Sequence, residues 1–331
     1  CRVIAAIVGA PSENPAEKGK PLFNTAYFLA DGKIRAKIHK TLLPNYDVFD
    51  EYRYFEPCRL PSPVVEYGNL RFAVTICEDL WNITDDPLYV RNPMDDLIGA
   101  APDIMINIAA SPFSYLQPEI RRDILVRNAV NYNLPVVYVN QVGGQTELIF
   151  DGGSMVVNPA GEVVSKLTEF GEDMQVWDFQ KPVPERNRET GTGLKSIPPP
   201  SSPAFENILS GQATRLIHDA LVLGIRDYFG KMGFSRAILG LSGGIDSAVT
   251  MALATRALGS ENVRAVLLPS HYSSGHSVED ARQLAENTGS PYDIIPIKDA
   301  YHAFEKTLQP QFAGLPFNLT EENLQARIRA V

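Results

Sequence analysis

The stretch LGLSGGIDSAV, residues 239 to 249, constrains the fold of this chain more than any other. An apolar run leads into Gly243 and Gly244, and a helical pattern follows. Glycine tolerates positive φ and lets backbone N–H groups approach a ligand closely. The hydroxyls of Ser242 and Ser247 add donors, and a helix N-terminus carries a partial positive charge. The stretch therefore predicts a strand, loop and helix that form a cradle for phosphate or pyrophosphate.

The residues around this loop predict the sheet that carries it. After residue 206, strand patterns alternate with helical patterns, which is typical of an α/β fold with a parallel, doubly wound sheet. In such a sheet, ligands bind at the carboxyl ends of the strands, where this loop lies. We expect the helix after the loop to end at Gly259. The next helix is expected to begin with a capping box of Ser277 and Asp280 and to end at Gly289.

Asp246 lies inside the loop and needs an explanation of its own. No lysine follows the glycines, so the loop is not a Walker A motif, and its spacing is not the GxGxxG of dinucleotide-binding proteins. A carboxylate repels bound phosphates unless a cation lies between them, and Mg²⁺ is suited to that place. The alternative interpretation is a plain Gly-Gly turn in which Asp246 caps the helix.

The loop resembles the PP-loop signature of the ATP pyrophosphatases. LLPSHYSSGHSVEDA, residues 267 to 281, resembles the narrower group of NAD synthetases. The resemblance implies that the nicotinate carboxylate of deamido-NAD attacks the α-phosphate of ATP, after which ammonia displaces AMP. It also implies ATP as a substrate and Mg²⁺ held by Asp246. The positions that match the family's pyrophosphate and metal residues are Ser242, Gly243, Gly244, Asp246 and Ser247, and those beside the adenine are Pro269 and Ser270.

The first part of the chain is organised differently. VVEYGNLRFAVTIC and DIMINIAAS read as strands and PEIRRDILVRNAVNYN as a helix, without a simple βαβ rhythm. KSIPPPSSPAFEN then interrupts both patterns, because three consecutive prolines cannot continue a helix or a central strand. We therefore predict a first domain over 1–195, a linker over 196–205 and a second domain over 206–331.

Cys77 ends the apolar run FAVTIC and begins the stretch CEDLW. A strand end is a rigid support for a nucleophile, although a free cysteine there is more often a small buried hydrophobe. CEDLW after an apolar strand resembles the nucleophile segment of the nitrilase superfamily. HKTLLPNYDVFDEYRYFEP, residues 39 to 57, resembles the lysine segment of the glutaminase domain of glutamine-dependent NAD synthetases. The resemblance implies a nitrilase-like αββα sandwich in which Cys77 attacks the amide carbon of glutamine.

Lys40 and Glu78 complete the implied chemistry. The resemblance implies that the Lys40 ammonium and the backbone N–H of Glu78 stabilise the oxyanion, and that the ammonium favours the Cys77 thiolate. By composition alone, Lys40 reads as a solvated surface lysine. The residues that match positions lining the family's glutamine pocket are Tyr46, Phe49, Glu51 and Ser111.

The chain departs from the family pattern at three places. Gln117 stands where a basic residue is usual, and Leu42 stands where a histidine is usual. The catalytic glutamate of nitrilases lies well upstream of the lysine, whereas Glu13 and Glu17 lie in what reads as a surface loop. We therefore expect that the segment bearing this glutamate is absent and that the chain is the interior of a longer protein.

Composition sets the remaining limits. The chain has 331 residues, 44% of them hydrophobic, and its formal net charge of −9 argues against a general binder of nucleic acid or anionic membranes. Three cysteines do not make a disulfide framework, and no apolar run approaches the ~20 residues that span a bilayer. We therefore expect a cytoplasmic protein, and the resemblance implies a homo-oligomer.

Two alternatives to the predicted function stay open. One is a different PP-loop amidotransferase, which forms GMP or asparagine. Such enzymes generally pair the loop with other types of glutaminase, so CEDLW argues against this alternative. The other is a catalytically incomplete module that binds ATP or a partner subunit.

Overall fold

The computed structural model describes residues 3–84, 86–179, 211–270, 273–314 and 319–329. The predicted linker, 196–205, lies outside these ranges. The chain divides into two compact units. The first unit consists of Cys1–Gly143 and Leu148–Ile217, and the second unit consists of Gly144–Glu147 and His218–Val331. Among the described residues, no helix is both long enough and apolar enough to cross a membrane.

The chain up to residue 166 is built mainly of strands. They are β1 Ala6–Glu13, β2 Leu22–Ala30, β3 Lys33–His39, β4 Val65–Tyr67, β5 Leu70–Ile76, β6 Ile104–Ala109, β7 Val136–Asn140, β8 Val142–Gln145, β9 Leu148–Asp151, β10 Met155–Val157 and β11 Val163–Lys166. Two helices join them, α1 Pro93–Ile98 and α2 Gln117–Tyr132. One sheet has the antiparallel order β1-β2-β3, and another has the order β11-β10-β7-β6-β5-β4 with β5, β6 and β7 parallel.

The two faces of the six-stranded sheet bury separate cores, because successive side chains of a strand point to opposite faces. On β5, Val74 and Ile76 pack with Phe28 and Ile38 of the three-stranded sheet. Ala73 points the other way, into a core that also contains Leu97 of α1, Leu125 of α2 and Met105 of β6. The layers are therefore sheet, sheet and helix, which correspond to three of the four layers of an αββα sandwich, and the predicted fold class is confirmed.

One detail of the N-terminal prediction is wrong. Glu13 is not in a loop but ends β1, where it pairs with Leu22 of β2, while Glu17 lies in the connection that follows. Pro11 lies within β1, which is an edge strand, and an edge strand tolerates a residue without an N–H donor. Both glutamates are exposed, so neither lies in a buried site.

From Gly211 onward, helices and strands alternate as predicted. The helices are α3 Gly211–Met232, α4 Ile245–Leu258, α5 Gly275–Thr288, α6 Lys298–Phe312 and α7 Leu319–Ile328, and the strands are β12 Ala237–Gly240, β13 Val263–Leu267 and β14 Tyr292–Ile294. The three strands are parallel in the order β12-β13-β14. Met251 of α4, Ala265 of β13 and Ala281 of α5 share one core.

The predicted capping box of α5 is wrong, although the end of the helix is correct. The cap is Ser274, whose hydroxyl accepts a hydrogen bond from the backbone N–H of Ser277 at 3.1 Å. A serine three residues before the predicted cap therefore starts the helix earlier. Gly289 ends the helix in the left-handed conformation, with φ 72°, as its lack of a Cβ allows.

Candidate active site

Cys77 follows directly after β5 and begins a short 3-10 turn, Cys77–Leu80, in which all four residues are buried. Its φ is 43°, in the left-handed region that non-glycine residues seldom adopt. Such strain persists only where the surrounding structure enforces it, and it is common at functional sites. The predicted nucleophile therefore sits on a sharp, buried turn at the carboxyl end of a central strand.

Lys40 follows β3 and is a buried residue, so the interpretation as a surface lysine is wrong. Its side chain is 1% exposed, and its Nζ lies 2.6 Å from Oε2 of Glu51. The amide of Asn24, on β2, donates to Oε1 of the same carboxylate at 3.3 Å. Glu51 therefore holds the Lys40 side chain in place. The sequence predicted Glu51 only as a residue that lines the glutamine pocket.

Burial and the charge of Lys40 act in opposite directions on the Cys77 thiol. Burial raises the pKa of Cys77 to about 11, while Lys40 acts in the opposite direction. Burial works against the Lys40 ammonium, but the charge that Cys77 carries as a thiolate and the carboxylate of Glu51 outweigh it and raise the pKa of Lys40. At neutral pH the resting site therefore holds a protonated lysine and a neutral thiol. The ammonium favours the thiolate as predicted, but it does not overcome burial.

Glu78 is a buried carboxylate held by two phenols. The hydroxyls of Tyr46 and Tyr89 donate to its Oε1 at 2.8 and 3.1 Å. Burial raises the pKa of Glu78, whereas the hydrogen bond from Tyr46 and the charge of Lys40 lower it. Phe49 packs edge-on against Tyr46, with 5.6 Å between the ring centroids. The structure thus brings the predicted pocket residue Tyr46 to the side chain next to the nucleophile, and Phe49 packs behind it.

Ser111 lies just beyond β6, which pairs in parallel with β5. It is buried, and its backbone N–H donates to Oδ1 of Asn140 at 3.0 Å. Asn107 of β6 donates from Nδ2 to the carbonyl oxygen of Cys77 at 3.3 Å. Ser111 and Cys77 therefore follow neighbouring strands at the same edge of the sheet. Gln117, where the family pattern has a basic residue, is the first residue of α2.

Several polar residues of this region were not predicted. Tyr89, Asn107 and Asp79 contact the site, and Asp79 stands inside the quoted stretch CEDLW. Arg121 forms a buried ion pair with Asp151, in which both side chains are 1% exposed. A polar residue inside an apolar run, such as Asn107 in DIMINIAAS, is a usable signal because buried polar groups need partners.

The glycine loop connects β12 to α4 and is closed by its own hydroxyls. Ser242 and Ser247 lie 3.0 Å apart at their Oγ atoms, and the N–H of Gly244 donates to Ser242 Oγ at 3.2 Å. Gly243 has φ 83°, and a Cβ added to it would lie 2.1 Å from the carbonyl oxygen of Ser277. Only glycine allows the loop to pass this close to the first turn of α5.

Asp246 lies in the first turn of α4 and is exposed. The N-cap of this helix is Gly244, so the alternative in which Asp246 caps the helix is wrong. Pro269 and Ser270 follow β13, which pairs in parallel with β12, and therefore emerge at the same edge of the sheet as the loop. The described residues contain no group of three or more His, Cys, Asp and Glu side chains that could hold a metal ion. Asp246 offers a single exposed carboxylate, and Mg²⁺ commonly takes one or two carboxylates together with phosphate oxygens.

Two family profiles match this sequence, one for each half. Residues 1–183 match the carbon-nitrogen hydrolase family, and residues 217–331 match NAD synthase. Both resemblances drawn from the sequence, one from CEDLW and one from SGGIDS, are confirmed by these matches.

Individual proteins are similar over both halves. The chain is 42% identical to a glutamine-dependent NAD(+) synthetase of Synechocystis sp., over 98% of this chain and 57% of the relative. It is 41% identical to one of Thermotoga maritima, over 93% of this chain and 55% of the relative. The solved glutamine-dependent NAD+ synthetase of Acinetobacter baumannii, in complex with adenosine diphosphate, superimposes with a TM-score of 0.83 at 37% identity, over 99% of this chain and 57% of that one. The chain thus spans little more than half the length of these relatives.

Proposed function

Because the chain belongs to the carbon-nitrogen hydrolase family and continues into an NAD synthase segment, we propose that it carries the glutaminase site and the ATP-binding loop of a glutamine-dependent NAD(+) synthetase. The observation that carries this proposal is the burial of Lys40, paired with Glu51, within electrostatic reach of the strained Cys77 turn. A buried ammonium is costly in a purely structural role, and its positive charge suits a site where negative charge develops.

In the proposed glutaminase reaction, Sγ of Cys77 attacks the side-chain amide carbon of glutamine. The Lys40 ammonium and the backbone N–H of Glu78 stabilise the resulting oxyanion. The carbon–nitrogen bond then breaks, ammonia leaves, and water hydrolyses the thioester to release glutamate and the thiol. Because the pKa of Cys77 is raised to about 11, the thiol must lose its proton during the attack, and the departing nitrogen must gain a proton to leave as ammonia.

The glutamine pocket is proposed from the residues near this turn. Tyr46 and Phe49 offer an aromatic wall, and Tyr46 also holds Glu78. Ser111 stands at the same sheet edge as Cys77. Glu51 acts on the pocket through Lys40. Gln117, a neutral residue, replaces one expected cationic contact to the carboxylate of glutamine.

The loop after β12 is proposed to hold the phosphates of ATP. Ser242, Gly243, Gly244 and Ser247 offer hydroxyl and N–H donors at the N-terminus of α4, where anions are favoured. The Acinetobacter baumannii relative was solved in complex with adenosine diphosphate, which supports a nucleotide as a ligand of this chain. Asp246 would hold Mg²⁺ together with phosphate oxygens, and that ion would supply positive charge to the departing pyrophosphate. Pro269 and Ser270 are proposed to lie beside the adenine.

The ammonia released at the proposed glutaminase site is the nitrogen donor at the proposed ATP site. The carboxylate of deamido-NAD attacks the α-phosphate of ATP and pyrophosphate leaves. Ammonia then attacks the acyl-adenylate, and the products are NAD and AMP. The substrates are accordingly glutamine, ATP and deamido-NAD. We further propose that the protein is a homo-oligomer and that it is cytoplasmic.

The test is Cys77→Ala in the full-length protein, with NAD formation from deamido-NAD measured separately with glutamine and with ammonium chloride. We expect loss of the glutamine-dependent activity and retention of the ammonia-dependent activity, because the two sites are separate. The matched control is Cys58→Ala, which removes a half-buried thiol of the same domain and should leave both activities unchanged. Full glutamine-dependent activity in Cys77→Ala would overturn the proposal.

A further inference from the structure

Asp79 stands two residues after Cys77 in the same 3-10 turn, and it is 2% exposed. Its carboxylate accepts hydrogen bonds from three backbone N–H groups. Oδ1 accepts from Thr41 at 3.0 Å and from Leu42 at 2.9 Å, and Oδ2 accepts from Ile76 at 3.0 Å. A buried side chain with this many backbone donors fixes the local chain path, because each lost bond leaves a buried N–H without a partner.

The donors come from the two segments that carry the proposed chemistry. Thr41 and Leu42 directly follow Lys40, and Ile76 directly precedes Cys77. Lys40 follows a strand of the three-stranded sheet, whereas Cys77 follows a strand of the six-stranded sheet. No ladder of strand pairing joins these two sheets in the described residues. The carboxylate of Asp79 therefore ties the backbones of these two segments together through hydrogen bonds.

The electrostatics show that the charge of Asp79 does not assist the nucleophile directly. The negative charge of Asp79 is among the causes that raise the pKa of Cys77, so it opposes the thiolate. The same charge helps to raise the pKa of Lys40, but a contribution of Asp79 to the reactivity of the thiol must come through geometry. Cys77 itself lies between the bound N–H of Ile76 and Asp79, and its left-handed φ of 43° needs such a constraint.

We propose that Asp79 is a positioning residue, which sets the place of the Lys40 ammonium relative to Sγ of Cys77 and holds the strained cysteine turn. This inference rests on the proposed glutaminase function. A displacement of about 1 Å in such a pair is enough to reduce the rate on the order of 10²-fold.

Two variants of the full-length protein separate geometry from charge. Asp79→Asn keeps the shape, but its NH₂ group cannot accept, so the bonds to one of the two segments are lost. Asp79→Glu keeps the charge but is longer by one methylene. We expect both variants to lower kcat for glutamine hydrolysis on the order of 10²-fold, with KM changed much less. Ammonia-dependent NAD formation should stay unchanged and reports that the synthetase half is folded, while the small change in KM reports that the glutamine site is intact.

The matched control is Asp103→Asn. Asp103 also accepts a backbone N–H, from Arg71 at 2.9 Å, but at the opposite ends of β5 and β6. Its kcat for glutamine hydrolysis should be unchanged. Wild-type kcat in Asp79→Glu would overturn the positioning role, as would a kcat in Asp79→Asn that equals or exceeds that of the wild type. If Cys77→Ala also keeps glutaminase activity, the proposed function fails, and if only the Asp79 variants keep it, the positioning role alone fails.

Discussion

Nζ of Lys40 lies 2.6 Å from Oε2 of Glu51, and the lysine is 1% exposed whereas the glutamate is 25% exposed. In this ion pair the Lys40 ammonium is fully buried, whereas the Glu51 carboxylate is partly exposed to solvent. Because the pKa of Lys40 is raised above 10.5, the pair stabilises the folded state below that pH. The stabilisation is lost as the pH rises through the raised value. Across the neutral range the ammonium is thus permanently present for the Cys77 turn.

Lys40→Met should slow the alkylation of Cys77. The thiol with a pKa of about 11 reacts through its thiolate, so the rate with iodoacetamide should rise with pH throughout the range from 7 to 10. A nearby opposite charge is worth ~1–3 pKa units, so loss of the ammonium should slow the reaction at pH 9 by about tenfold or more. Mass spectrometry of the Cys77 peptide gives the rate, and Cys58 in the same sample is an internal reference.

The matched control for this variant is Lys37→Met, which removes an exposed lysine of β3. Its Cys77 peptide should be alkylated at the wild-type rate. An unchanged rate in Lys40→Met itself would show that the ammonium does not act on the thiol.

Asp246→Asn should reduce NAD formation equally with glutamine and with ammonia in the full-length protein. The amide keeps the shape of the side chain but removes the charge that holds Mg²⁺ beside the phosphates. The activity of both reactions is measured over a range of MgCl₂ concentrations, with Asp280→Asn as the control because Asp280 is an exposed carboxylate of α5. A defect confined to the glutamine reaction would contradict the proposed role.

Gly243→Ala should destabilise the second unit by about 1–3 kcal/mol, since the new Cβ meets a backbone carbonyl and φ is 83°. Gly230→Ala in α3 is the matched control, because a Cβ there meets nothing within 4 Å. The control should stabilise the helix by up to about 1 kcal/mol. Urea unfolding measures both changes. Equal free energies of unfolding in the two variants would refute the close approach to Ser277.

Arg121→Met should destabilise the first unit by about 3–5 kcal/mol, because it leaves the buried carboxylate of Asp151 without its cation. The next residue provides the control. Arg122 pairs with Asp123 at the surface, and Arg122→Met should cost about 0–1 kcal/mol. Urea unfolding of the two variants is the measurement, and similar losses in both would show that burial of the Arg121 pair does not matter.

Local sequence patterns predicted the elements that carry both sites. The apolar run before Cys77 predicted β5 and its end, and the glycines of SGGIDS predicted the turn between β12 and α4. These predictions succeeded because strand periodicity, turn chemistry and helix ends depend on residues close together in the chain. The predictions failed at Glu13, which ends a strand and not a loop, and at the cap of α5, which is Ser274 and not Ser277. At both places the neighbouring residues are compatible with more than one local structure.

Local sequence thus established which residue types stand at the ends of which elements, and it indicated the two families that the halves match. Tertiary structure alone decided that Lys40 is buried on Glu51, that two tyrosines hold Glu78, and that Asp79 joins the two segments. Each of these relationships connects residues from separate elements. Their distances follow from how the sheets pack, and burial then decides that the Cys77 thiol stays neutral beside a cation.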